Sequence, residues 1–280
     1  MSWRGSLSLD YRRDPHSSVP RTVVHDRHDG PLRVLASLYP EAPAVCHNVL
    51  VHPPGGIVGG DELAVDVTLA EGAHALVTTA GATRFYRSTG APAVQTLQAT
   101  LAADTRLEWL PLETIAYSGC IAENRLRFAL APGAELIGWD VLALGLPASG
   151  QPFERGSFTQ SIEVPGRWLE RGVLAASDTR LLESALGWAG HRVMGTLWFA
   201  AGSTVSDQRR DTLLELARGL ADSHPLRSSA GASSPQDGLI LLRVLAPRVE
   251  PVMNLLDSVW LAWRHAAWQL AGCTPRVWRT

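Results

Sequence analysis

Three similar segments recur along the first half of the chain, and their spacing limits the folds open to it. They read LAEGA at 69–73, LAADT at 101–105 and LAPGA at 130–134, and so lie roughly 30 residues apart. Each has the form of a strand, a tight turn and a second strand. Recurrence of such units predicts stacked β-layers in a helical, solenoid-like architecture, with a β-sandwich of similar hairpins as the structural alternative.

We predict a single domain over residues 1–280, rich in β-structure over 1–200 and containing helices over 201–280. Apolar residues at helical spacing predict a helix over 207–222 and a longer one over 250–271. Pro251 suits the first turn of the second helix, and Gly272 suits its C-cap. A strand is predicted over 238–246. The Ser-, Ala- and Gly-rich stretch at 227–238 predicts a mobile loop.

Composition excludes several classes of function. The net charge of −2 and the isoelectric point near 6.5 provide no basic surface for nucleic acid or for anionic lipid. No apolar stretch is long enough to span a bilayer. The three cysteines are scattered and odd in number, so a disulfide framework is not expected, and we expect a cytoplasmic protein.

The segment HPPGGIVGGD at 52–61 is the most unusual local sequence. A phosphate-binding loop would continue with Lys and then Ser or Thr, whereas here two carboxylates, Asp61 and Glu62, follow. We therefore interpret the glycines as a tight corner between strands, where positive φ or close backbone contact is required. The structural residues of this glycine corner are Gly55, Gly56, Gly59 and Gly60.

The sequence contains no Gly-x-Ser-x-Gly elbow and no His-Glu-x-x-His motif. Carboxylates do stand beside tryptophans at 108–109, 139–140 and 168–170, again roughly 30 residues apart. Stacked layers could bring these groups together, either as a column of core tryptophans or as an acid-lined groove. The groove describes an enzymatic alternative, a carbohydrate-active β-solenoid enzyme that uses paired carboxylates.

An ordered set of motifs resembles the urease accessory protein family UreD, also called UreH. The glycine corner is followed by TRFYRS at 83–88, LEWLP at 107–111, GWD at 138–140, RVEP at 248–251 and PRVWRT at 275–280. The resemblance spans nearly the whole chain. It implies a helical stack of β-strands with two α-helices, in agreement with the pattern above.

The resemblance also implies a function. Proteins of this family bind the urease apoprotein and UreF, and through UreF the GTPase UreG. They deliver nickel to the urease active site and are not known for catalysis of their own. We therefore expect no permanently bound cofactor and only transient Ni²⁺, which passes through an internal channel.

A delivery channel needs ligands that hold a divalent ion briefly, and isolated carboxylates have this property. Our candidates for the nickel path are Asp61, Asp140 and Glu170, each beside an apolar or glycine-rich segment. The alternative is that they only form ion pairs, for example with Arg84, Arg155 or Arg171. Trp268 lies off the apolar stripe of its helix. It is therefore predicted to cover a second surface, either elsewhere in the fold or on UreF.

Overall fold

The structure is a computed structural model that describes residues 2–146 and 149–279, and the described residues form two β-sheets and three α-helices. The strands are β1 (Arg4–Arg13), β2 (Thr22–Asp29), β3 (Arg33–Val34), β4 (Val45–Val51), β5 (Glu62–Leu69), β6 (His74–Thr79), β7 (Thr83–Phe85), β8 (Ala93–Leu101), β9 (Arg106–Leu110), β10 (Thr114–Ala116), β11 (Cys120–Leu130), β12 (Glu135–Leu144), β13 (Gly156–Val164), β14 (Trp168–Ala175), β15 (Val193–Ala201), β16 (Ala230–Gln236) and β17 (Leu239–Ala246). The helices are α1 (Thr179–Glu183), α2 (Asp207–Ser223) and α3 (Val249–Trp268). A 3-10 turn at Arg276–Arg279 follows them.

The chain alternates between the two sheets as it advances. One sheet has seven strands in the order β14-β13-β11-β8-β5-β1-β2, and the central part of the other runs β15-β12-β9-β6-β4. The strands β13-β11-β8-β5-β1 of the first sheet and β12-β9-β6-β4 of the second are parallel, because each coil returns the chain to the same sheet in the same direction, whereas β15 is antiparallel to β12. The result is about four stacked coils, and the predicted solenoid-like fold is confirmed.

The three LA segments lie one above the other, as their spacing predicts. Leu101 pairs with Leu69 on one side and with Leu130 on the other, so the repeated leucines are neighbours in adjacent coils. A residue with left-handed backbone conformation follows at the same place in each turn: Gly72 (φ 71°), Asp104 (φ 55°) and Gly133 (φ 81°). The repeat in the sequence is therefore a repeat of one turn geometry.

Two apolar layers hold the fold together. The first lies between the sheets and includes Leu7, Phe85 and Phe128. The second lies between the larger sheet and the helices α2 and α3, and it includes Trp139 and Trp260. The larger sheet is thus covered on both faces, and almost every residue of β12 is buried. Such continuous burial is expected for parallel strands in a middle layer.

The predicted loop at 227–238 was wrong, because residues 230–236 form the strand β16. Its residues have low β-propensity, but they pair with the apolar strand β17, and a bulge between Ser233 and Gln236 interrupts the register. Arg218 of α2 also donates a hydrogen bond to the Ala232 carbonyl. Tertiary hydrogen bonds therefore override local propensity here.

The second long helix was predicted to end at 271, whereas α3 ends at Trp268. Its C-cap is Gln269, which has a left-handed backbone (φ 57°), and not Gly272. After the cap the chain folds back, because Arg264 donates a hydrogen bond to the Ala271 carbonyl. A side chain at Gly272 would lie 2.2 Å from Leu261, so this glycine permits close approach of the tail to the helix.

Candidate functional site between the two sheets

The glycine corner at 52–61 connects β4 with β5 at one end of the stacked coils. Gly55 (φ 75°) and Gly60 (φ 94°) have positive φ. Gly56 and Gly59 have no such φ, but a Cβ would lie 2.0 Å from the Tyr86 ring at Gly56 and 2.6 Å from the Ala91 carbonyl oxygen at Gly59. Two glycines thus allow the backbone conformation, and two allow the next coil to approach closely.

Asp61 at the end of this corner is buried and bonded to the backbone. Its Oδ1 accepts a hydrogen bond from the Trp3 amide at 2.8 Å, and its Oδ2 accepts one from the Val58 amide at 3.0 Å. Nearby, half-burial lowers the pKa of His52, against the opposing effect of the Asp61 charge. The Asp61 carboxylate therefore joins the N-terminal strand to the corner.

A cavity of about 320 Å³ extends from the glycine corner into the space between the sheets. Its walls are mostly apolar and include Leu50, Leu97 and Trp109. His52 and Arg84 line its corner end, and Asn124 and Asp140 line the part further inside; Asp61 does not line it. A largely apolar cavity with a few convergent polar groups is the usual form of a binding site.

Asp140 stands inside the molecule on β12. Asn124 Nδ2 lies 3.4 Å from Asp140 Oδ1 and 3.3 Å from Gln160 Oε1, and Gln95 donates to Asn124 Oδ1 at 3.3 Å. The three amides belong to the neighbouring strands β8, β11 and β13, on which they are in register. They form a polar row across the smaller sheet that faces Asp140.

The pKa of Asp140 is raised to about 7, mainly by burial; the nearby Gln160 amide lowers it, and the Glu170 charge contributes to raising it. Such a shift shows that ionising this carboxyl group in the interior is unfavourable. Among the described residues no arginine forms an ion pair with it. A cation next to Asp140 would therefore stabilise the ionised form.

Glu170 lies on the edge strand β14 and forms an ion pair with Arg243 of β17. This pair connects the two sheets, because β14 and β17 belong to different sheets. Burial raises the pKa of Glu170, although Arg243 lowers it. The fold thus brings Glu170 and Asp140 into electrostatic contact, while Asp61 lies apart at the corner.

Of the ion pairs considered for the three carboxylates, none forms with Arg84, Arg155 or Arg171 in the described part of the chain. Asp61 binds backbone amides, Asp140 contacts an amide, and Glu170 pairs with Arg243 instead. The three candidates therefore differ in their environments, which sequence spacing alone could not distinguish.

The predicted grouping of tryptophans with carboxylates was wrong. Trp109 pairs with Gly138, so Trp139 is one residue further along and points to the opposite face of its sheet. Trp139 packs against Trp260 and Trp278 under the helices, while Trp168 packs against Trp198 between the sheets. The tryptophans form no column and no acid-lined groove, which removes the reason for the carbohydrate-active alternative.

A buried ionic cluster beneath α3 was missed by sequence reasoning. Glu108 is fully buried and accepts hydrogen bonds from Trp260 (2.7 Å) and Arg264 (3.0 Å), and it bonds to His74 (2.8 Å). Although burial opposes ionisation, His74, Arg264 and Trp260 together lower the pKa of Glu108. The available signal was an arginine next to the apolar stripe of a helix, since such a charge needs a buried partner.

Trp268 covers another part of the fold. Its side chain is 5% exposed, and its Nε1 donates to Glu135 at 2.6 Å. Its ring also contacts His74 edge-on, and the Arg106 guanidinium lies over it. The ring is thus buried against the solenoid, which is the first of the two surfaces predicted for it.

Two further observations concern metal ions and membranes. Within residues 2–146 and 149–279, no group of three or more His, Cys, Asp or Glu side chains could hold a metal ion together. No helix in that part of the chain is long and apolar enough to cross a membrane.

Comparison with known proteins gives a consistent result. The profile of the family described as "UreD urease accessory protein" matches residues 4–279. The chain is 60% identical to a protein of Leptothrix cholodnii over the whole of both chains. It is 58% identical to one from a Polaromonas species and 59% identical to one from Paracidovorax citrulli, each over 99% of both chains. All three relatives are named "Urease accessory protein UreD".

Proposed function

The chain belongs to the UreD family of urease accessory proteins, and we propose that it is a maturation scaffold that passes nickel to urease. In this proposal it binds the urease apoprotein and UreF, and through UreF the GTPase UreG. It has no catalytic activity of its own and no permanent cofactor. Nickel is the transient cargo of the complex.

The observation that supports the proposal is the buried Asp140 at the interior cavity. An ionised carboxylate in a low-dielectric interior is unfavourable unless a cation is close, and no arginine of the described chain pairs with Asp140. A passing divalent ion would supply that charge. Because a single carboxylate and neighbouring amide oxygens make an incomplete ligand set, the ion would be held weakly and released.

Glu170 and Asp61 have different parts in this proposal. Glu170 is electrostatically coupled to Asp140 and lies at the opposite edge of the sheets from the glycine corner. It is therefore suited to receive or release the ion at that edge. Asp61 lies near His52, which lines the corner end of the cavity, so we place it at the other end of the path.

The test replaces carboxylates by amides of the same shape. Asp140→Asn and Glu170→Gln should still assemble with UreF and the urease apoprotein, while the urease formed contains less nickel and is less active. The matched control is Glu163→Gln, an outward carboxylate on β13 that is paired only with Arg127 at the surface. Partner recovery and urease nickel content are measured on the same samples.

Partner recovery tests the scaffold role, and urease nickel content tests the nickel path. Loss of nickel with intact assembly in both variants supports the path. Fully nickel-loaded urease from the Asp140→Asn/Glu170→Gln double variant would remove these residues from the path and leave only the scaffold. Failure of the unaltered chain to recover either partner would overturn the scaffold itself.

A further inference from the structure

Three buried N–H donors near Asp140 have no hydrogen-bond acceptor among the described residues. They are Trp109 Nε1, Gln160 Nε2 and Trp198 Nε1. Buried donors in proteins are nearly always paired. Three such donors in one region therefore point to acceptor atoms that come from a bound molecule.

Strand register brings the two indoles together beside Asp140. Trp109 of β9 and Trp198 of β15 both pair with Gly138 of β12, from its two sides. The Trp198 ring lies over Gly138, where a Cβ would be 2.8 Å from its Nε1. Asp140 is two residues further along the same inner face. Gly138 thus lets an indole approach the backbone next to the carboxylate.

The third donor comes from the opposite sheet. Gln160 of β13 accepts a hydrogen bond from Asn124 through its Oε1, and its Nε2 group lies near Asp140 without a well-formed hydrogen bond. Trp109, Asn124 and Asp140 all line the cavity. Of the three donors, Trp109 lines the cavity, Trp198 lies on the other strand beside that of Asp140, and Gln160 lies on the opposite sheet.

The three N–H donors present partial positive charge to this region, which does not favour a cation bound alone. The positive ends of N–H dipoles repel a metal ion, and a divalent ion beside one carboxylate leaves a net charge of +1 in the interior. A singly charged anion would bring the sum to zero and would supply acceptor oxygens to the donors. A dianion is less suitable, because the one cationic side chain among the described lining residues, Arg84, lies at the corner end.

We propose that this region binds a small planar oxoanion, of the bicarbonate or carboxylate class, together with nickel. The anion accepts hydrogen bonds from Trp109, Trp198 and Gln160 and shares the metal ion with Asp140. The involvement of nickel rests on the proposed function, whereas the three donors do not. The anion acts as a co-ligand that makes the cargo electrically neutral.

The experiment measures nickel affinity with and without an added anion. The protein, kept in complex with UreF, is titrated with Ni²⁺ by calorimetry in anion-poor buffer and again with formate or bicarbonate. Either anion should strengthen nickel binding about tenfold, and nickel should strengthen anion binding by the same factor. Phosphate and chloride at equal ionic strength are the comparison anions and should give no such increase.

Two variants remove single donors; one keeps an aromatic ring, and the other keeps nearly the shape of the side chain. Trp109→Phe and Gln160→Leu, measured separately so that a folding defect in one does not decide the result, should each reduce the enhancement to about twofold or less. Trp3→Phe, at an exposed indole, is the control and should retain it. Indole fluorescence should change on adding formate and lose that change in Trp109→Phe.

The outcomes distinguish this inference from the nickel path. Nickel affinity that is unchanged by formate and bicarbonate, or equally enhanced by chloride, would overturn the anion site. An enhancement that persists in both variants would also overturn it. If Asp140→Asn binds nickel as well as the unaltered chain, the path through Asp140 fails. A formate-dependent fluorescence change that is lost in Trp109→Phe would then still support the anion site.

Discussion

Replacing Arg264 by Met tests how the C-terminal helix is held on the solenoid. Arg264 is fully buried, and its Nε lies 3.0 and 3.2 Å from the two carboxylate oxygens of Glu108. Its Nη2 donates to both oxygens of Glu41, at 2.6 and 2.7 Å. Methionine preserves most of the aliphatic volume and removes the charge. The change therefore removes both ion pairs together with the hydrogen bond to the Ala271 carbonyl.

The expected loss of unfolding free energy depends on the two carboxylates that the substitution leaves without Arg264. Glu41 is partly exposed and can be solvated, but Glu108 is fully buried and would keep only His74 and Trp260 as partners. Removing one partner of a buried ion pair costs about 3–5 kcal/mol of unfolding free energy. At about 2.1 cal/mol/K of unfolding entropy per residue, that loss corresponds to a fall in Tm of about 5–9 °C in a chain of this size.

Thermal unfolding of matched variants provides the assay. Arg127→Met removes an arginine from the exposed pair with Glu163 and should cost about 1 kcal/mol or less. The double variant Arg264→Met/Glu108→Gln should be more stable than Arg264→Met alone, because the neutral amide avoids a buried unpaired charge while its oxygen still accepts from Trp260. A loss in Arg264→Met no larger than in Arg127→Met, or a double variant no more stable than Arg264→Met, would contradict the reasoning.

Three further outcomes can be measured. Gly60→Val should give insoluble protein because a β-branched residue is strained at φ 94°, whereas Gly81→Ala, in open space without positive φ, should stay soluble. Burial raises the pKa of Asp140 to about 7, so stability that is present below its unfolded pKa is lost as the pH rises to 7. The unfolding free energy should therefore fall by about 2–3 kcal/mol more between pH 5 and pH 8 in the unaltered chain than in Asp140→Asn. Trp268→Phe should lower the unfolding free energy by about 1–3 kcal/mol through loss of the bond to Glu135, without changing recovery of UreF.

The solenoid could be predicted because its signal is local and repeated. Each LA segment specifies a turn, and stacking places Leu69, Leu101 and Leu130 in adjacent coils. The same repeat period could not predict on which face of the sheet a side chain lies. Trp109 and Trp139 are close to one repeat apart, yet a one-residue offset in register sends their rings to opposite faces.

The missed features are those that depend on contacts distant in sequence. The strand β16 forms because β17 offers backbone hydrogen bonds, although its own residues favour a loop. The bond between Glu108 and Arg264 joins residues 156 positions apart. Neither interaction leaves a local pattern, so only the assembled fold reveals them.

The buried carboxylates of this fold have unequal roles, and their partners show the difference. Glu108 is ionised against Arg264, and both oxygens of Asp61 are occupied by backbone amides, so each is stabilised within the chain. Asp140 has only neutral amide neighbours, Asn124 at 3.4 Å and Gln160, and its pKa is raised to about 7. A carboxylate whose charge is stabilised internally gains little from an added cation, whereas one that is not gains much. Of these three acids, Asp140 is therefore the one at which a passing divalent ion would be bound most favourably.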